Sequence, residues 1–329
     1  GYNKIKGGIG RRRNPAAYLI YKKGLSMQKS GIIRIKSIFY NKNIAPYIFC
    51  LPFVISFFLF FFYPICTSIY MSFMKVITLD NMEFVGLKNY SRLYNEHFLN
   101  AIKLSTIYTL SMVILMMVFP VTIAGLLNSK SLRFRNFFRS AIFVPTLTSV
   151  IVAGIAFRMI FADIESGFIN SIIISLGGKA VPFKQYYWTG ILIMVVLAFW
   201  RDLGINMVYC LSAMQTIPEE LYESARIDGA NDISIFRHIT IPSIKPILIY
   251  ILTLTIINGY RMFTEGYVYW NEATPGGNGL TIVRYIYQQA FQKNDMGLGS
   301  AIGVVLLFII LTINLIQLKS FGLFRKGDD

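Results

Sequence analysis

The feature that most constrains this chain is a set of long segments that contain no charged residue. Residues 43–74 give 32 consecutive uncharged positions, residues 104–129 give 26, and residues 296–318 give 23. A helix needs about 20 apolar residues to cross the hydrocarbon core of a bilayer. These segments indicate a membrane protein, and the charged fraction of 15% is well below the roughly 25% of soluble proteins.

Six membrane-spanning helices are predicted from the apolar pattern. The first lies within 45–73, because the 32 uncharged residues of 43–74 would make a helix of about 48 Å and three prolines predict kinks. This segment begins near residue 44 and is far longer than the apolar part of a signal peptide, so no cleavable signal is predicted. The other spans are predicted at about 104–129, 140–162, 187–213, 242–268 and 296–318.

The basic residues predict which segments face the cytoplasm. The net charge is +16, and 11 of the 32 Lys and Arg residues lie in the first 42 positions, which contain no acid. Cytoplasmic segments are enriched in Lys and Arg, so we expect both termini to be cytoplasmic and do not expect nucleic-acid binding. The predicted organisation is a basic, partly disordered N-terminal tail over 1–43, a transmembrane domain over 44–320 and a cytoplasmic tail over 321–329.

A polar segment with eight charged residues, residues 216–246, separates the fourth and fifth predicted spans. Its sequence predicts two short helices joined by a turn. Thr216 and Glu219 have the spacing of a capping box. Gly229 can end the first helix, and Asp232 can cap the second. Such a hairpin outside the membrane is suited to contact with another protein.

The second helix of this hairpin is predicted to be amphipathic. Ile233, Phe236 and Ile239 recur at intervals of three, which places them on one face of a helix. Pro242 is expected to stop the helix, because proline lacks the amide hydrogen that a helix needs. We therefore expect an apolar face that fits a groove.

This polar segment resembles the cytoplasmic loop of the membrane subunits of bacterial ABC importers. The pattern of that family is Glu-Ala-Ala, three residues, Gly, nine residues, Ile, any residue and Leu-Pro. The residues at these positions here are Glu223, Ser224, Ala225, Gly229, Ile239, Thr240, Ile241 and Pro242. Ser224 and Ile241 depart from the pattern, whereas the acid, the glycine and the proline are all present.

Further segments resemble the sugar-importing members of this family. The motif Phe-Val-Gly-Leu-x-Asn-Tyr occurs at 84–90, and other similar stretches lie at 144–149, 167–170, 275–281 and 285–291. The resemblance implies an all-α permease of the carbohydrate-uptake, or maltose-type, class in the bacterial inner membrane. That class combines two permease subunits, often different, with two ATP-binding subunits and an extracytoplasmic binding protein that delivers a sugar or oligosaccharide.

The resemblance also implies that the hairpin couples this chain to the ATP-binding subunits, whose closure would move the spans. The residue types agree, because glycine permits a tight reversal and carboxylates can meet basic groups of a partner. The expected ATPase-coupling residues are Glu223, Ser224, Ala225, Asp228, Gly229, Ile239 and Pro242.

The sequence contains no pattern for binding a nucleotide or a metal, or for catalysis. It lacks the Gly-rich loop with its phosphate-binding lysine. ATP and Mg are therefore expected on the partner ATPase, and this chain is expected to bind no cofactor and to be a transport subunit, not an enzyme. Cys50, Cys66 and Cys210 lie far apart in apolar segments and predict neither a metal site nor a redox pair.

Five charged residues fall in or near predicted spans, namely Arg158, Arg201, Asp202, Arg261 and Glu265. Each costs about 2.5–3.5 kcal/mol at the centre of a bilayer, so they are expected to face water or one another. Arg261 and Glu265 are four positions apart and are expected to pair on one helix face. Arg201 and Asp202 are adjacent, point about 100° apart and are expected to need separate partners.

The fifth predicted span carries the candidate transport path. Asn258, Tyr260, Arg261 and Glu265 offer the aromatic and planar polar groups that bind sugars, and Gly259 is expected to loosen the helix there. Structural bridges between spans are the alternative role for these residues.

Other functions stay open at this point. An importer of this family could carry a non-sugar solute such as glycerol phosphate or a polyamine. An ion-coupled secondary transporter would use carboxylates such as Asp202 and Glu265, although no internal repeat is found. A membrane enzyme would need a catalytic constellation, which the sequence lacks.

Overall fold

The computed structural model describes residues 42, 44–78, 81–129, 132–270 and 277–322. The predicted N-terminal tail lies outside these residues except for Lys42, and so does most of the predicted C-terminal tail. The described part is mostly helical and contains a two-stranded antiparallel hairpin. It forms two compact units, one that ends at Thr67 and one that begins at Ser68.

The first unit is an apolar helical segment. Helix α1 spans Ala45–Phe57, a π-helical turn follows at Phe58–Phe62, and helix α2, Tyr63–Ser72, continues into the second unit. Pro52 lies inside α1. The rings of Phe57 and Phe61 stack with their centroids 6.2 Å apart. The segment is therefore helical throughout, with a π turn as its irregularity.

The second unit contains the remaining elements. Strands β1 and β2 span Met74–Thr78 and Asn81–Phe84. Helices α3 to α8 span Lys88–Ser91, Glu96–Asn128, Arg135–Phe143, Val150–Ile160, Phe168–Ser175 and Tyr187–Met214, with a 3₁₀ turn at Val144–Leu147. Helices α9 to α15 span Glu219–Ile227, Asp232–Ile235, Ile241–Ser243, Lys245–Tyr260, Thr264–Trp270, Ile282–Tyr287 and Met296–Ser320, with π turns at Phe236–Thr240 and Gln288–Gln292.

Two clusters of buried apolar side chains stabilise the second unit. The larger joins α4, α8 and α12 and includes Leu104, Met194 and Ile251. The smaller joins α4, α12, α14 and α15 and includes Ile256 and Ile302. Helices α4 and α12 contribute to both clusters, so they form the centre of the unit.

Four described helices are long and apolar enough to cross a membrane, namely Ala45–Ser72, Glu96–Asn128, Tyr187–Met214 and Met296–Ser320. They coincide with the first, second, fourth and sixth predicted spans. The third predicted span is a pair, α5 and α6, bent by 95°, and the fifth includes a pair bent by 70° between α11 and α12. The described part therefore has four candidate spans, or up to six if each bent pair is one span.

The bend between α5 and α6 is held by contacts with the middle of α8. The Thr146 hydroxyl donates a hydrogen bond of 2.8 Å to the carbonyl oxygen of Arg201. A Cβ atom at Gly204 would lie 2.5 Å from the carbonyl oxygen of Ile142. Only glycine therefore permits this close approach of the two backbones.

Two asparagines of the family-like motifs hold loops together. Asn89 is 3% exposed and donates to the carbonyl oxygens of Ser72 at 2.9 Å and of Met74 at 2.8 Å. Asn170 is fully buried, donates to the carbonyl oxygen of Val181 at 3.1 Å and accepts from its amide at 2.8 Å. These side chains satisfy buried backbone groups, so their contribution is structural.

The substitution Gly204→Ala tests the contact between α5 and α8. We expect a loss of about 1–3 kcal/mol in the free energy of unfolding, because the added methyl group meets backbone that cannot yield cheaply. The loss would lower the melting temperature of the protein in detergent. Gly303→Ala in α15 is the matched control, since a Cβ there meets nothing within 4 Å. Equal melting temperatures for the two variants would contradict the close contact.

Candidate functional site

A polar cavity of about 480 Å³ lies where helix α12 ends. Its walls come from α4, α8, α12 and the segment that leads into α13, and Tyr108, Asn206 and Asn258 line it. The volume is within the range of ligand sites in proteins. Among the described residues, no group of three or more His, Cys, Asp or Glu side chains could hold a metal ion. The cavity is therefore the candidate site for a solute.

Arg201 is the centre of an ion cluster on the cavity wall. Its Nη2 atom lies 3.1 Å from Oδ1 of Asp202 and 3.4 Å from Oε1 of Glu265. The three side chains are between 12% and 32% exposed, so water screens these contacts only in part. One cation thus neutralises two carboxylates incompletely and connects α8 with α13.

This cluster corrects two predictions about the charges. In the described part no ion pair joins Arg261 and Glu265, because α12 ends at Tyr260 and the two residues do not share a helix face. The expectation of separate partners for Arg201 and Asp202 is also wrong. The long guanidinium side chain reaches the carboxylate of the next residue in spite of the angle between them.

The charges on the cavity wall balance. Arg261 is exposed, lines the cavity and has no ion-pair partner among the described residues. It offsets the second carboxylate of the cluster, so two cations face two anions. The buried Arg284 donates to the carbonyl oxygen of Gly266, the residue after Glu265, at 3.0 Å, and loss of solvation lowers the pKa of that guanidinium. Arg158, the remaining predicted intramembrane charge, lies exposed in the last turn of α6.

Three of the four residues predicted for the transport path line the cavity, namely Asn258, Arg261 and Glu265. Tyr260 lies elsewhere. It is 5% exposed, belongs to the smaller buried cluster, and its hydroxyl lies 3.1 Å from Oγ1 of Thr106. Direction changes by about 100° per helical residue, so Tyr260 faces away from Asn258. Contact of the other three with a solute stays a prediction.

Several cavity residues were missed from the sequence. Tyr108, Asn206 and Tyr209 line the cavity but lie within long apolar helices, where nothing local distinguishes them. One usable signal is that Asn206 follows Asp202 by four positions and so shares its face of α8. The Asn206 amide indeed donates to the carbonyl oxygen of Asp202 at 2.8 Å.

The polar segment after α8 contains two short helices, α9 and α10, that are joined by a reversal at Gly229. The φ angle of Gly229 is +81°, which glycine adopts without strain. The amide of Gly229 donates to the carbonyl oxygen of Arg226 at 3.1 Å, and that of Ala230 to the carbonyl oxygen of Ala225 at 2.9 Å. These two bonds are the Schellman pattern that ends many helices.

The caps of these helices differ from the predictions. Helix α9 begins after Pro218, and no side chain caps it. Thr216 instead donates backwards to the end of α8, which removes it from the predicted capping box. Helix α10 is capped by Asn231, whose Oδ1 atom accepts from the amide of Ser234 at 2.8 Å. Asp232, the predicted cap, is the first residue inside the helix.

Two other expectations for the second helix are also wrong. Helical structure passes through Pro242 and ends at Ser243, after a π turn at Phe236–Thr240. The predicted apolar face is divided, because Ile233 is 78% exposed while the Phe236 ring lies against Gly125 of α4. A π turn changes the angular spacing between residues, and the prediction assumed a regular α-helix.

The hairpin presents apolar as well as charged groups to its surroundings. Leu221, Ile227 and Ile233 are exposed, with Ile227 at 85%. The hydroxyl groups of Tyr222 and Thr240 lie 3.2 Å apart and connect α9 with the π turn that follows α10. Of the predicted coupling residues, Ala225 and Ile239 are half-buried, and the exposed ones are Glu223, Ser224, Asp228, Gly229 and Pro242. Exposed apolar groups of this kind are typical of contact surfaces.

Apolar helices of spanning length and bent helix pairs, with a polar cavity among them, indicate a multi-pass membrane protein. The crystal structure of a bacterial ABC transporter involved in the import of the acidic polysaccharide alginate contains a chain of the same fold. The TM-score is 0.75 with 22% sequence identity, over 86% of this chain and 96% of that chain. Residues 117–319 match the family of binding-protein-dependent transport system inner membrane components. The chain belongs to this family.

Relatives of known description are transport permease subunits. The arabinooligosaccharides transport system permease protein of Bacillus subtilis (strain 168) is 48% identical, over 88% of this chain and 92% of that protein. The protein of the same description from Halalkalibacterium halodurans is 45% identical, over 90% of this chain and 93% of its own length. The lactose transport system permease protein of Rhizobium radiobacter is 28% identical, over 84% of this chain and 93% of its length.

The substitution Arg201→Met tests the ion cluster. It leaves two carboxylates close together without their shared cation, and we expect a loss of up to about 3 kcal/mol in the free energy of unfolding. Glu265→Gln should cost less, because Arg201 keeps Asp202 as a partner. Thermal unfolding in detergent measures both effects. Arg158→Met, at an exposed position, is the control, and an equal melting temperature for Arg201→Met would contradict the cluster's contribution.

Proposed function

We propose that this chain is a permease subunit of an ATP-driven ABC importer that takes up arabinose-containing oligosaccharides from an extracytoplasmic binding protein. The observation that carries the proposal is the cavity of about 480 Å³ at the end of α12, whose wall offers amide, carboxylate, guanidinium and phenol groups. The choice of sugar is supported by the relatives described as arabinooligosaccharide permeases, at 48% and 45% identity.

The chemistry of the cavity suits a neutral sugar. Sugar hydroxyls donate and accept hydrogen bonds, and the amides of Asn206 and Asn258 can do both. The rings of Tyr108 and Tyr209 can cover the apolar faces of sugar rings. The charges on the wall cancel, so an anion such as glycerol phosphate or a cationic polyamine would gain no net attraction. A neutral oligosaccharide is therefore the solute that this cavity favours.

The proposed assembly supplies what this chain lacks. Two ATP-binding subunits would hold ATP and Mg, a second permease subunit would complete the pathway, and the binding protein would deliver the sugar. Six spans would place the hairpin and both termini on the cytoplasmic side of the bacterial inner membrane. The chain itself would then hold no cofactor and perform no catalysis.

The hairpin is the proposed contact with an ATP-binding subunit. Glu223 and Asp228 are exposed and can meet basic groups, while the exposed side chain of Ile227 can enter an apolar pocket. Tyr222 links α9 to Thr240 in the π turn that continues α10, so a movement of α9 is transmitted to that turn. The π turn leads directly into α11 and α12, at whose end the cavity lies.

Transport by the reconstituted complex tests this function. The chain, purified with its co-purifying subunits, would be placed in proteoliposomes with the binding protein and labelled arabinooligosaccharide. We expect uptake that requires ATP and is inhibited by vanadate. Uptake driven by an ion gradient without ATP would contradict the ABC mechanism. ATP-driven uptake of glycerol phosphate or a polyamine, but not of the sugar, would contradict the substrate.

Substitutions at Gly229 test the hairpin separately from the cavity. Gly229→Val should abolish uptake and its coupling to ATP hydrolysis, because a β-branched residue resists the φ of +81°. Gly229→Asn should keep most activity, since asparagine tolerates that conformation. A Cβ meets nothing within 4 Å there, so steric overlap does not explain a difference. Normal uptake by Gly229→Val at equal membrane abundance would refute the coupling role.

A further inference from the structure

A second charged feature of the molecule lies far along the chain from the ion cluster. Helix α5 and the residue two positions before it carry Arg133, Arg135 and Arg139, all of them exposed. The sequence contains no Asp or Glu between Glu96 and Asp163. None of the three arginines has an acidic partner among the described residues. This part of the chain therefore has a net positive charge that the described residues do not neutralise.

Two of these arginines line a small recess. Arg135 and Arg139 are four positions apart, so they lie on one face of α5. Together with Asn136 they line a recess of about 50 Å³ whose opposite wall is formed by Leu211 and Gln215, at the end of α8. Two guanidinium groups and an amide give an arrangement of donors that suits a tetrahedral oxyanion such as a phosphate group. The recess is too small for the sugar of the larger cavity.

The same helix and the residue before it expose large aromatic rings beside the arginines. Phe134, Phe137 and Phe138 are 76%, 69% and 45% exposed, and the last two rings pack edge to face at 5.8 Å. Phenylalanine side chains on a short, basic helix are typical of elements that lie in the interface of a bilayer. The position agrees, because α5 contacts the end of α8, where the apolar helix gives way to the polar hairpin.

We propose that the recess between α5 and α8 binds the phosphate of an anionic phospholipid, with its acyl chains along the exposed phenylalanines. The charge selects an anionic over a zwitterionic headgroup, since a positive choline would be repelled by the three arginines. The rings select a lipid over free phosphate or an acidic protein surface, neither of which would cover them. This inference does not depend on which solute the permease carries.

The test compares lipids added to the full chain, purified in mild detergent with its co-purifying subunits. Phosphatidylglycerol should raise the melting temperature with a saturable dependence on concentration, whereas phosphatidylcholine and inorganic phosphate should not. The double substitution R135Q/R139Q should weaken phosphatidylglycerol binding about thirtyfold, because each cation near the headgroup contributes about a factor of five. Arg158→Gln, which removes an exposed arginine that does not line the recess, should leave binding unchanged.

The other outcomes overturn the proposal. An equal shift with inorganic phosphate would assign the recess to a free anion, and an equal shift with phosphatidylcholine would remove the role of the headgroup charge. If R135Q/R139Q loses the ATP-binding subunit but keeps lipid binding, the arginines serve a protein partner. If that variant does not fold, R135K/R139K provides the test, because lysine keeps the charge without the bidentate geometry. R135K/R139K should then bind phosphatidylglycerol more weakly than the unsubstituted chain but still prefer it to phosphatidylcholine. Loss of that preference would refute the site.

Discussion

Charge inside an apolar protein is the constraint on which the rest of this structure depends. Arg201 stands in the middle of α8, a helix long and apolar enough to cross a membrane, where an isolated cation is costly. Its carboxylate partners are Asp202 on the same helix and Glu265 on α13. Glu265 reaches this position because α12 stops at Tyr260 and the chain turns before α13 begins. The ion cluster, the helix break and the cavity are thus parts of one arrangement.

The break in the fifth predicted span leaves polar backbone and side chains around the cavity. Asn258 and Arg261 are exposed there, and Glu265 lies on the wall. Irregular backbone at membrane depth is tolerated only where it is covered by protein or lines a space that holds water. The polar groups at the end of α12 are therefore satisfied by the cavity, and the same groups form part of its polar wall. The proposed solute path runs through this cavity.

Close contact between helices at glycine residues is the second constraint on the structure. Gly204 lets the bend between α5 and α6 lie against α8. At Gly259 a Cβ atom would lie 2.6 Å from Oγ1 of Thr109, so α12 and α4 also meet at a glycine. Small residues that bring helices together are common in membrane proteins, where the packing of helices must replace the hydrophobic effect. The two glycines place both broken spans against long unbroken helices.

The sequence could predict the long helices, the hairpin reversal and a loosened helix at Gly259, because each has a local cause. The uncharged runs, Gly229 and the Asn-Gly-Tyr sequence at 258–260 are such causes. The bend before α6 could not be found, since it depends on Gly204, some sixty residues later. The predictions of the helix caps were wrong because several adjacent residues can occupy one capping position, as Asn231 and Asp232 can. Tyr260 was misplaced because its residue type suited a sugar while its direction on the helix did not.

The pairing of Arg201 with Glu265 could not be predicted from the sequence either. Spacing alone favoured Arg261 for Glu265, and that rule holds only while a helix continues. Because α12 ends at Tyr260, the partner of Glu265 is determined by the packing of α13, which depends on residues distant in the chain. The resemblance to a family supplied the function that local patterns could not, because the site combines residues of several helices.

Accessibility of Asn258 to water tests the central claim most directly. In a chain whose native cysteines, Cys50, Cys66 and Cys210, are replaced by serine, Asn258→Cys would be treated with a membrane-impermeant thiol reagent. Leu307→Cys, at an exposed apolar position on α15, is the comparison. The account predicts rapid modification at 258, slowed by the delivered oligosaccharide, and no modification at 307. An unreactive cysteine at 258 in every nucleotide state would show that no aqueous cavity exists there.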